Sequence, residues 1–181
     1  MSYPILIIIL ILMWGALLYN QLVTLRGRVN NSWAQIDVQL KRRFNLIPNL
    51  VNTVKGYAKH EKKTLEEVTA SRTKYLSAKT PEEKLGANSE LTGALSRLFA
   101  VAENYPDLKA GTNFLDLQKQ LKDTEDKIGF SRQFYNDTTM KYNVAIVKIP
   151  ASLIAGVFGF KSRPYFKTEG DERENIEVKF D

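Results

Sequence analysis

The sequence contains no cysteine and only one histidine, His60. The absence of cysteine excludes disulfide bonds, thiolate metal sites, iron–sulfur clusters and a thiol nucleophile. A site that needs several histidines is excluded too, because His60 would have to serve alone. Glycine-rich phosphate loops and the G-x-S-x-G nucleophile motif are also missing. We therefore expect no metal, no cofactor and no small-molecule substrate, and we predict that the protein is not an enzyme.

Residues 3–19 form an apolar run without a single charge. A helix that crosses a bilayer needs about 20 apolar residues, with roughly 17 at the low end. A soluble helix of this length would keep one polar face, and this run has none. A cleaved signal peptide is the alternative, but the basic amino-terminal region and the small-residue cleavage site are missing. The run predicts a transmembrane anchor over residues 1–20.

Charge is distributed unevenly after the anchor. Residues 20–80 hold 12 Lys/Arg against 4 Asp/Glu, whereas residues 81–181 hold 14 against 16. Basic residues on one side of a single anchor predict that this side is cytoplasmic, so the N-terminus is expected outside. Such a basic region is also attracted to anionic lipid.

Apolar residues then recur every three or four positions from Leu22 to Val68, which indicates one face of a long helical stretch. Pro48 interrupts it. The chain either turns near Phe44-Asn45 and begins a new helix there, or stays helical and kinks at Pro48. The continuous stripe favours a kink. The length of an uninterrupted helix favours a turn, because no later helix could cover it.

Two later helices are marked by clear signals. Thr80-Pro81-Glu82-Glu83 is a capping box with proline in the first turn. After a loop at 104–107, alternating spacings of three and four predict a long helix packed along its length. Its expected seam consists of Phe114, Leu117, Leu121, Thr124, Ile128, Ser131, Tyr135, Thr138, Tyr142, Ala145 and Ile149.

Pro150 ends that helix, and an apolar stretch rich in aromatic and basic residues follows over 150–167. This composition suits a segment at a membrane surface. The alternative is that Leu153, Ile154, Phe158 and Phe160 fold back and cap the helical domain. If four helices run up and down from the membrane, the fourth returns this segment to the bilayer. If the first helix is unbroken, only three helices run up and down, and the segment ends far from the bilayer. Residues 168–181 are expected to be an acidic, mobile tail, with a short extended stretch at 176–180.

Few residues suggest chemistry. His60-Glu61 resembles the start of a zinc-protease motif, but position 64 is Thr64 rather than a second histidine. A membrane-bound hydrolase using Asp37, His60 and Glu61 remains the alternative to a non-enzymatic role. Asn45, Asn49 and Asn52 would share one helix face and could form a polar recognition surface. Nucleic-acid binding is not expected, because no recognised module accompanies the positive charge.

The sequence resembles the LemA family of bacterial membrane proteins. The motifs that carry the resemblance are Trp33–Arg43 (WAQIDVQLKRR), Leu46–Val51 (LIPNLV), Val54–Ala58 (VKGYA), His60-Glu61, Ala100–Ala110 (AVAENYPDLKA), Asn113–Leu115 (NFL), Leu117-Gln118, Thr124-Glu125, Tyr135-Asn136, Tyr142-Asn143, Pro150 and Phe158–Phe160 (FGF). The resemblance implies a single anchor and an up-and-down four-helix bundle, which favours the turn near Asn45 over the kink. It also implies kinship with proteins of bacterial magnetosome membranes, and it supplies no catalytic residues.

Together these observations predict an all-α protein: an anchor (1–20), an antiparallel four-helix bundle (21–149), the 150–167 segment and an irregular tail (168–181). We expect a single-pass protein of the bacterial cytoplasmic membrane that acts as a scaffold or adaptor. Its expected partners are the lipid bilayer and either further copies of itself or other membrane proteins. The predicted partner-binding residues are Trp33, Arg42, Arg43, Asn49 and Tyr57, and the predicted membrane-contact residues are Phe158, Phe160, Arg163 and Phe166.

Overall fold

The computed structural model describes residues 2–58 and 60–166, and this part of the chain is all-α, with no strand. The helices are α1 (Ser2–Tyr57), α2 (Lys62–Ser77), α3 (Pro81–Ala102), α4 (Pro106–Lys109), α5 (Thr112–Val147) and α6 (Ala151–Val157). They belong to two compact units. We call Met1–Trp33 with Arg132–Asp181 the terminal unit, and Ala34–Ser131 the middle unit.

The first helix continues through Pro48, so the turn near Asn45 that the resemblance favours is absent. The side chains on both sides of the proline explain this, because Phe44, Ile47 and Val51 are all buried. A helix-interior proline costs about 3 kcal/mol, whereas each buried side chain of this size contributes about 1.5–3 kcal/mol. Burial of the continuous stripe therefore outweighs the single lost hydrogen bond.

The helical break falls later, at residues 58–61. Ala58 donates the last α-helical bond, to the Val54 carbonyl at 2.8 Å, and Glu61 then closes a turn onto the Ala58 carbonyl at 3.2 Å. Ala58 is 1% exposed, so the stripe ends where the chain leaves α1. The break separates α1 from α2 and supplies the reversal that the sequence analysis expected near Asn45.

Contacts in the middle unit connect all four of its longer helical segments. The ion pairs Lys74–Glu90 and Glu67–Arg97 join α2 and α3 in antiparallel register. Phe44 of α1 stacks on Tyr75 of α2 with ring centroids 4.0 Å apart. Phe99 of α3 meets Phe114 of α5 edge to face at 6.0 Å. The up-and-down four-helix bundle stays a prediction, and these pairings are compatible with it.

The capping box at the start of α3 is confirmed. The Thr80 hydroxyl accepts from the Glu83 N–H at 3.1 Å, and the Glu83 carboxylate accepts from the Thr80 N–H at 3.2 Å. Hydrogen bonds from the backbone N–H groups of Lys79 and Thr80 lower the pKa of Glu83. The helix that begins here runs without interruption to Ala102.

The predicted seam of α5 is buried at most positions, which confirms its periodicity as far as Tyr142. Ser131 and Ala145 are half-buried. Ile149 is 87% exposed, because α5 ends at Val147 and residue 149 no longer shares the helical face. The seam thus ends one turn earlier than its sequence pattern.

In the terminal unit, the start of α1 packs against the end of α5 and against α6. The Ser32 and Thr138 hydroxyls are 2.9 Å apart in a buried contact. Tyr19 of α1 contacts Phe158, with ring centroids 4.7 Å apart. The expectation that an unbroken first helix would leave 150–167 far from the anchor was therefore wrong. That expectation assumed a first helix without a later break, whereas α1 ends at Tyr57. The expectations for Lys167, for the tail 168–181 and for 176–180 lie outside the described residues.

Candidate functional site

The segment after α5 turns sharply and then reverses. The axes of α5 and α6 differ by 92° across residues 148–150. At the other end of α6, the Phe160 N–H bonds to the Ala155 carbonyl at 2.9 Å, and Gly159 has a φ of +68°. This is the hydrogen-bond pattern of a glycine-terminated helix, in which the left-handed residue sends the chain back. The reversal directs residues 161–166 back along α5.

Residues 161–166, which we call the strap, are extended and are held by two asparagines of α5. The Asn143 side chain donates to the Arg163 carbonyl at 2.8 Å and accepts from the Arg163 N–H at 2.9 Å. Asn136 does the same for Phe166, at 3.0 and 2.9 Å. Each amide thus satisfies both main-chain polar groups of one residue, as a neighbouring β-strand would.

Two tyrosines beside these asparagines complete the strap's hydrogen bonds. The Tyr142 hydroxyl donates to the Lys161 carbonyl at 3.0 Å, and the Tyr135 hydroxyl donates to the Pro164 carbonyl at 3.2 Å. The two Tyr-Asn pairs are seven residues apart, so they lie on the same face of α5. The sequence analysis noted both pairs only as part of the family resemblance. Their heptad spacing was the signal that could have predicted an extended segment on this face.

Aromatic contacts tie the same segment to α1. Phe160 is 8% exposed, lies 5.8 Å from the Tyr19 ring, and has the Arg26 guanidinium 4.9 Å from its centroid. The Phe166 ring lies 5.6 Å from Trp33 and 4.4 Å from Tyr135. The fold-back alternative therefore describes Phe160, and Phe166, which that alternative did not name, also packs against protein. Lipid contact by Phe160 and Phe166 stays a prediction that is not tested.

The remaining predicted membrane-contact residues are more exposed. Phe158 is 56% exposed, and the Arg163 side chain also faces solvent. On α6 itself, Leu153 and Val157 are 70% and 80% exposed. The sequence analysis did not choose these two, because an apolar run of ten residues does not reveal which side of a short helix is covered. Their exposure makes the outer side of α6 apolar.

Three of the five predicted partner-binding residues are exposed. Arg42 and Asn49 are exposed on α1, and Tyr57 is 52% exposed. Asn45 and Asn52 are exposed too, as their spacing predicts. Partner binding by these residues is not tested by the structure.

Arg43 and Trp33 are engaged in internal contacts instead. The Arg43 side chain is 4% exposed; it hydrogen-bonds to Asn88 at 2.6 Å and to Thr92 at 3.1 Å, and it forms an ion pair with Glu125. Its guanidinium thus joins α1, α3 and α5. In the terminal unit, Trp33 is half-buried against Phe166. Their predicted role in partner binding remains open, but both contribute to packing.

The structure does not support the hydrolase alternative. Asp37 pairs with Lys84 at 2.6 Å, whereas His60 is exposed beyond the far end of the same helix. From Asp37 to Tyr57 alone is about 30 Å at 1.5 Å per residue. Glu61 accepts a hydrogen bond from the Tyr105 hydroxyl at 3.1 Å, and burial together with this contact raises the pKa of Tyr105. The three proposed catalytic side chains therefore do not converge.

The first residues of α1 form the longest run of exposed apolar residues in the described part of the chain. Ile5 to Leu12 are between 50% and 68% exposed, and Trp14 and Leu17 are 52% and 61% exposed. By length and composition, α1 is the one helix in the described part of the chain that could cross a membrane alone. Apolar side chains exposed all round a helix are typical of a lipid-facing segment.

Comparison with known proteins places the chain in a family. The LemA family model matches residues 32–180. The chain is 28% identical to the magnetosome protein MamQ of Magnetospirillum gryphiswaldense and to magnetosome protein MamQ 2 of Paramagnetospirillum magneticum. Both alignments cover 84% of this chain and 66% of the relative, so the chain spans just under two thirds of their length.

A further relative is more distant but is covered over more of its length. The chain is 25% identical to protein LemA of Metamycoplasma hominis, over 88% of this chain and 73% of that protein. The family model covers most of the chain, and the amino-terminal helix is apolar enough to cross a membrane. This all-α, membrane-associated chain therefore belongs to the LemA family.

Proposed function

We propose that this protein is a membrane-anchored, non-enzymatic scaffold or adaptor whose helical domain associates with other proteins at the bacterial cytoplasmic membrane. One observation carries the proposal. The exposed apolar residues 3–17 and the buried residues from Leu22 to Val54 belong to the same helix, α1. The lipid-facing segment therefore continues into the packed domain without a flexible linker. A helix that is lipid-facing at one end and packed at the other is suited to holding a helical domain at the membrane.

The ionic contacts of the middle unit support a structural role. Asp37–Lys84 joins α1 to α3, Glu67–Arg97 joins α2 to α3, and Arg43–Glu125 joins α1 to α5. These groups contact one another across helices rather than converging on a cavity. They are suited to fixing which helices pair and in which register, in support of an up-and-down four-helix bundle.

The recognition surface that we propose lies on the outer face of α1 in the middle unit. Arg42, Asn45, Asn49 and Asn52 are exposed at spacings of three and four, and Tyr57 is half-exposed after them. Side-chain amides both donate and accept hydrogen bonds, so this face can pair with a second copy or with another polar helix. Arg43 supports this face from inside the middle unit, whereas Trp33 packs against Phe166 within the terminal unit.

The orientation follows from the positive charges beyond the anchor, among them Arg26, Arg28 and Lys41. The N-terminus lies outside and the helical domain lies in the cytoplasm. The relatives named as magnetosome proteins support a place on a bacterial membrane. Crosslinking identifies the bound partner, either a second copy of the chain or another membrane protein.

The absence of cysteine makes every introduced cysteine unique, which gives a direct test of orientation. In intact cells, a membrane-impermeant maleimide should label Ser2→Cys, and it should label His60→Cys only after the membrane is opened. Labelling of His60→Cys from outside would reverse the orientation.

The recognition surface is tested by crosslinking in the membrane followed by mass spectrometry. A photoreactive label on Asn49→Cys should capture one dominant protein, either a second copy or another membrane protein. The matched control is Ser89→Cys, an exposed position on α3. Equal and diffuse crosslinking from both positions would contradict the scaffold proposal.

A further inference from the structure

The outer side of α6 is an apolar surface that no described side chain covers. Leu153 and Val157 are four residues apart on the same helix face, and Phe158 follows at the C-cap. Their exposed fractions are 70%, 80% and 56%. On the opposite side, Ala155 is 3% exposed and Ile154 packs towards α1. One side of α6 is therefore covered by protein, and the other side is apolar and exposed.

The position of α6 on α1 indicates what covers the open side. Ile154 Cδ1 lies 3.8 Å from where a Cβ would stand on Gly15, an ordinary packing distance, so α6 lies against this turn of α1. Phe158 rests on Tyr19. Gly15 and Tyr19 belong to the last turns of the apolar run. As a helix, residues 3–19 span about 26 Å, slightly less than a hydrocarbon core of about 30 Å. Residues that pack at this level lie at the edge of the bilayer.

The geometry excludes a second crossing by α6. Its seven residues extend only about 10 Å, and its axis is turned 92° from that of α5. A short helix at this angle beside a transmembrane segment is suited to lying along the membrane surface. Val147 and Ile149, just before α6, are exposed as well, at 70% and 87%.

The charges around α6 favour an anionic surface. Lys148 precedes the helix, Lys161 follows it, and both are exposed. Asp137 is the one acidic residue among the described residues of the terminal unit. Basic residues that flank an apolar interfacial helix are attracted to anionic headgroups while the apolar side chains enter the acyl boundary.

We propose that α6 is a second membrane-attachment element: it lies in the plane of the cytoplasmic membrane surface and inserts Leu153, Val157 and Phe158 among anionic phospholipids. The inference rests on the proposed function for the transmembrane placement of α1. Because α6 is docked on one side of α1, it fixes the depth of the anchor and its rotation about its own axis. An anchor helix alone leaves its rotation about its own axis free.

The test uses the full chain in vesicles of phosphatidylcholine and phosphatidylglycerol, with one nitroxide-labelled cysteine at a time. Power saturation compares collisions with oxygen, which concentrates in lipid, and with a water-soluble nickel chelate. Labels on Leu153→Cys and Val157→Cys should collide several-fold more with oxygen than with the chelate. Ile9→Cys is the positive control in the anchor. Ser162→Cys, exposed on the strap, is the matched control and should show the reverse preference.

Each outcome decides the inference. Labels at 153 and 157 that behave like the label at 162, while Ile9→Cys stays in lipid, would overturn the inference and leave the proposed function intact. Chelate access at Ile9→Cys would overturn the placement of the anchor and the inference together. Dipolar broadening at 153 and 157 that disappears on dilution with unlabelled protein would show that a second copy covers α6, which also overturns it.

A second variant separates membrane contact from folding. Leu153→Gln with Val157→Gln changes two side chains that contribute little to the packed interior, so the thermal unfolding midpoint should stay close to that of the parent. In this background, a label on Phe158→Cys should lose its preference for oxygen several-fold. An unchanged preference, with folding intact, would show that the two side chains do not hold α6 in lipid.

Discussion

Asn136 binds both main-chain polar groups of Phe166, donating to its carbonyl at 3.0 Å and accepting from its N–H at 2.9 Å. Asn143 forms the same pair of hydrogen bonds with the main chain of Arg163, one heptad further along α5. An extended segment on a helix has no strand beside it to satisfy its backbone. The two asparagine side chains supply these hydrogen bonds instead. They explain how the strap keeps its extended conformation without secondary structure of its own.

The first prediction concerns this pairing. Asn136→Ala removes both bonds to Phe166 and should loosen the end of the strap at a cost of roughly 1–3 kcal/mol. Hydrogen exchange followed by mass spectrometry should show faster exchange across 161–166. Asn45→Ala, at an exposed position on α1, is the control and should leave this exchange unchanged. Unaltered protection of the strap in Asn136→Ala would mean that the aromatic contacts of Phe166 suffice.

The second prediction concerns the reversal after α6. Gly159 has a φ of +68°, and a Cβ there would meet no atom within 4 Å, so Gly159→Ala adds only backbone strain. We expect a loss of about 1–2 kcal/mol in thermal unfolding. Gly27→Ala is a matched control, since Gly27 also has open space but lies inside α1. That change should stabilise the protein by up to about 1 kcal/mol. Destabilisation by both would indicate a steric cause.

The third prediction separates two adjacent arginines. Arg43→Met leaves Glu125, Asn88 and Thr92 without their shared donor and should cost roughly 2–4 kcal/mol in denaturant unfolding. Glu125 is partly exposed and can turn to water, which keeps the loss below that of a fully buried pair. Arg42→Met, on the exposed side of the same helix, should stay within about 0.5 kcal/mol. Similar losses from both variants would show that the network contributes little.

The fourth prediction concerns pH. Burial, with a smaller contribution from the Asp37 carboxylate, raises the pKa of Tyr75 from 10.0 to about 12. Between these values the unfolded chain loses the phenol proton while the folded chain keeps it. The contribution to stability is therefore complete below about pH 10 and declines as the pH rises towards 12.

Absorbance measures this titration directly. The phenolate difference spectrum between the parent and Tyr75→Phe should rise near pH 12. The free energy of unfolding of the parent, relative to that of Tyr75→Phe, should be lower at about pH 11 than at about pH 9. Tyr75→Phe also keeps the ring that stacks on Phe44. A Tyr75 phenolate that forms near pH 10 in the folded protein would show that the ring is more accessible than the structure indicates.

Local signals predicted local structure well. The capping box at Thr80, the stripe along α1 and the seam of α5 were all evident from spacing, because cap geometry and helical period depend on residues three or four positions apart. The fold-back alternative for Phe160 also came from the sequence. Where the sequence left two outcomes open, as at Asn45, two local tendencies competed. A good cap and a proline favoured a new helix, while the apolar stripe favoured continuity.

The sequence by itself determined the apolar anchor, the all-α class, the absence of thiol chemistry and the family. Each of these depends on composition or on neighbours along the chain. Only the tertiary structure decided that α1 passes through Pro48, that Arg43 is buried in a polar network, and that the two Tyr-Asn pairs hold the strap. It alone showed that Leu153 and Val157 face outwards. These outcomes depend on which surfaces meet in space, and burial against a distant helix outweighs a local preference of about 3 kcal/mol.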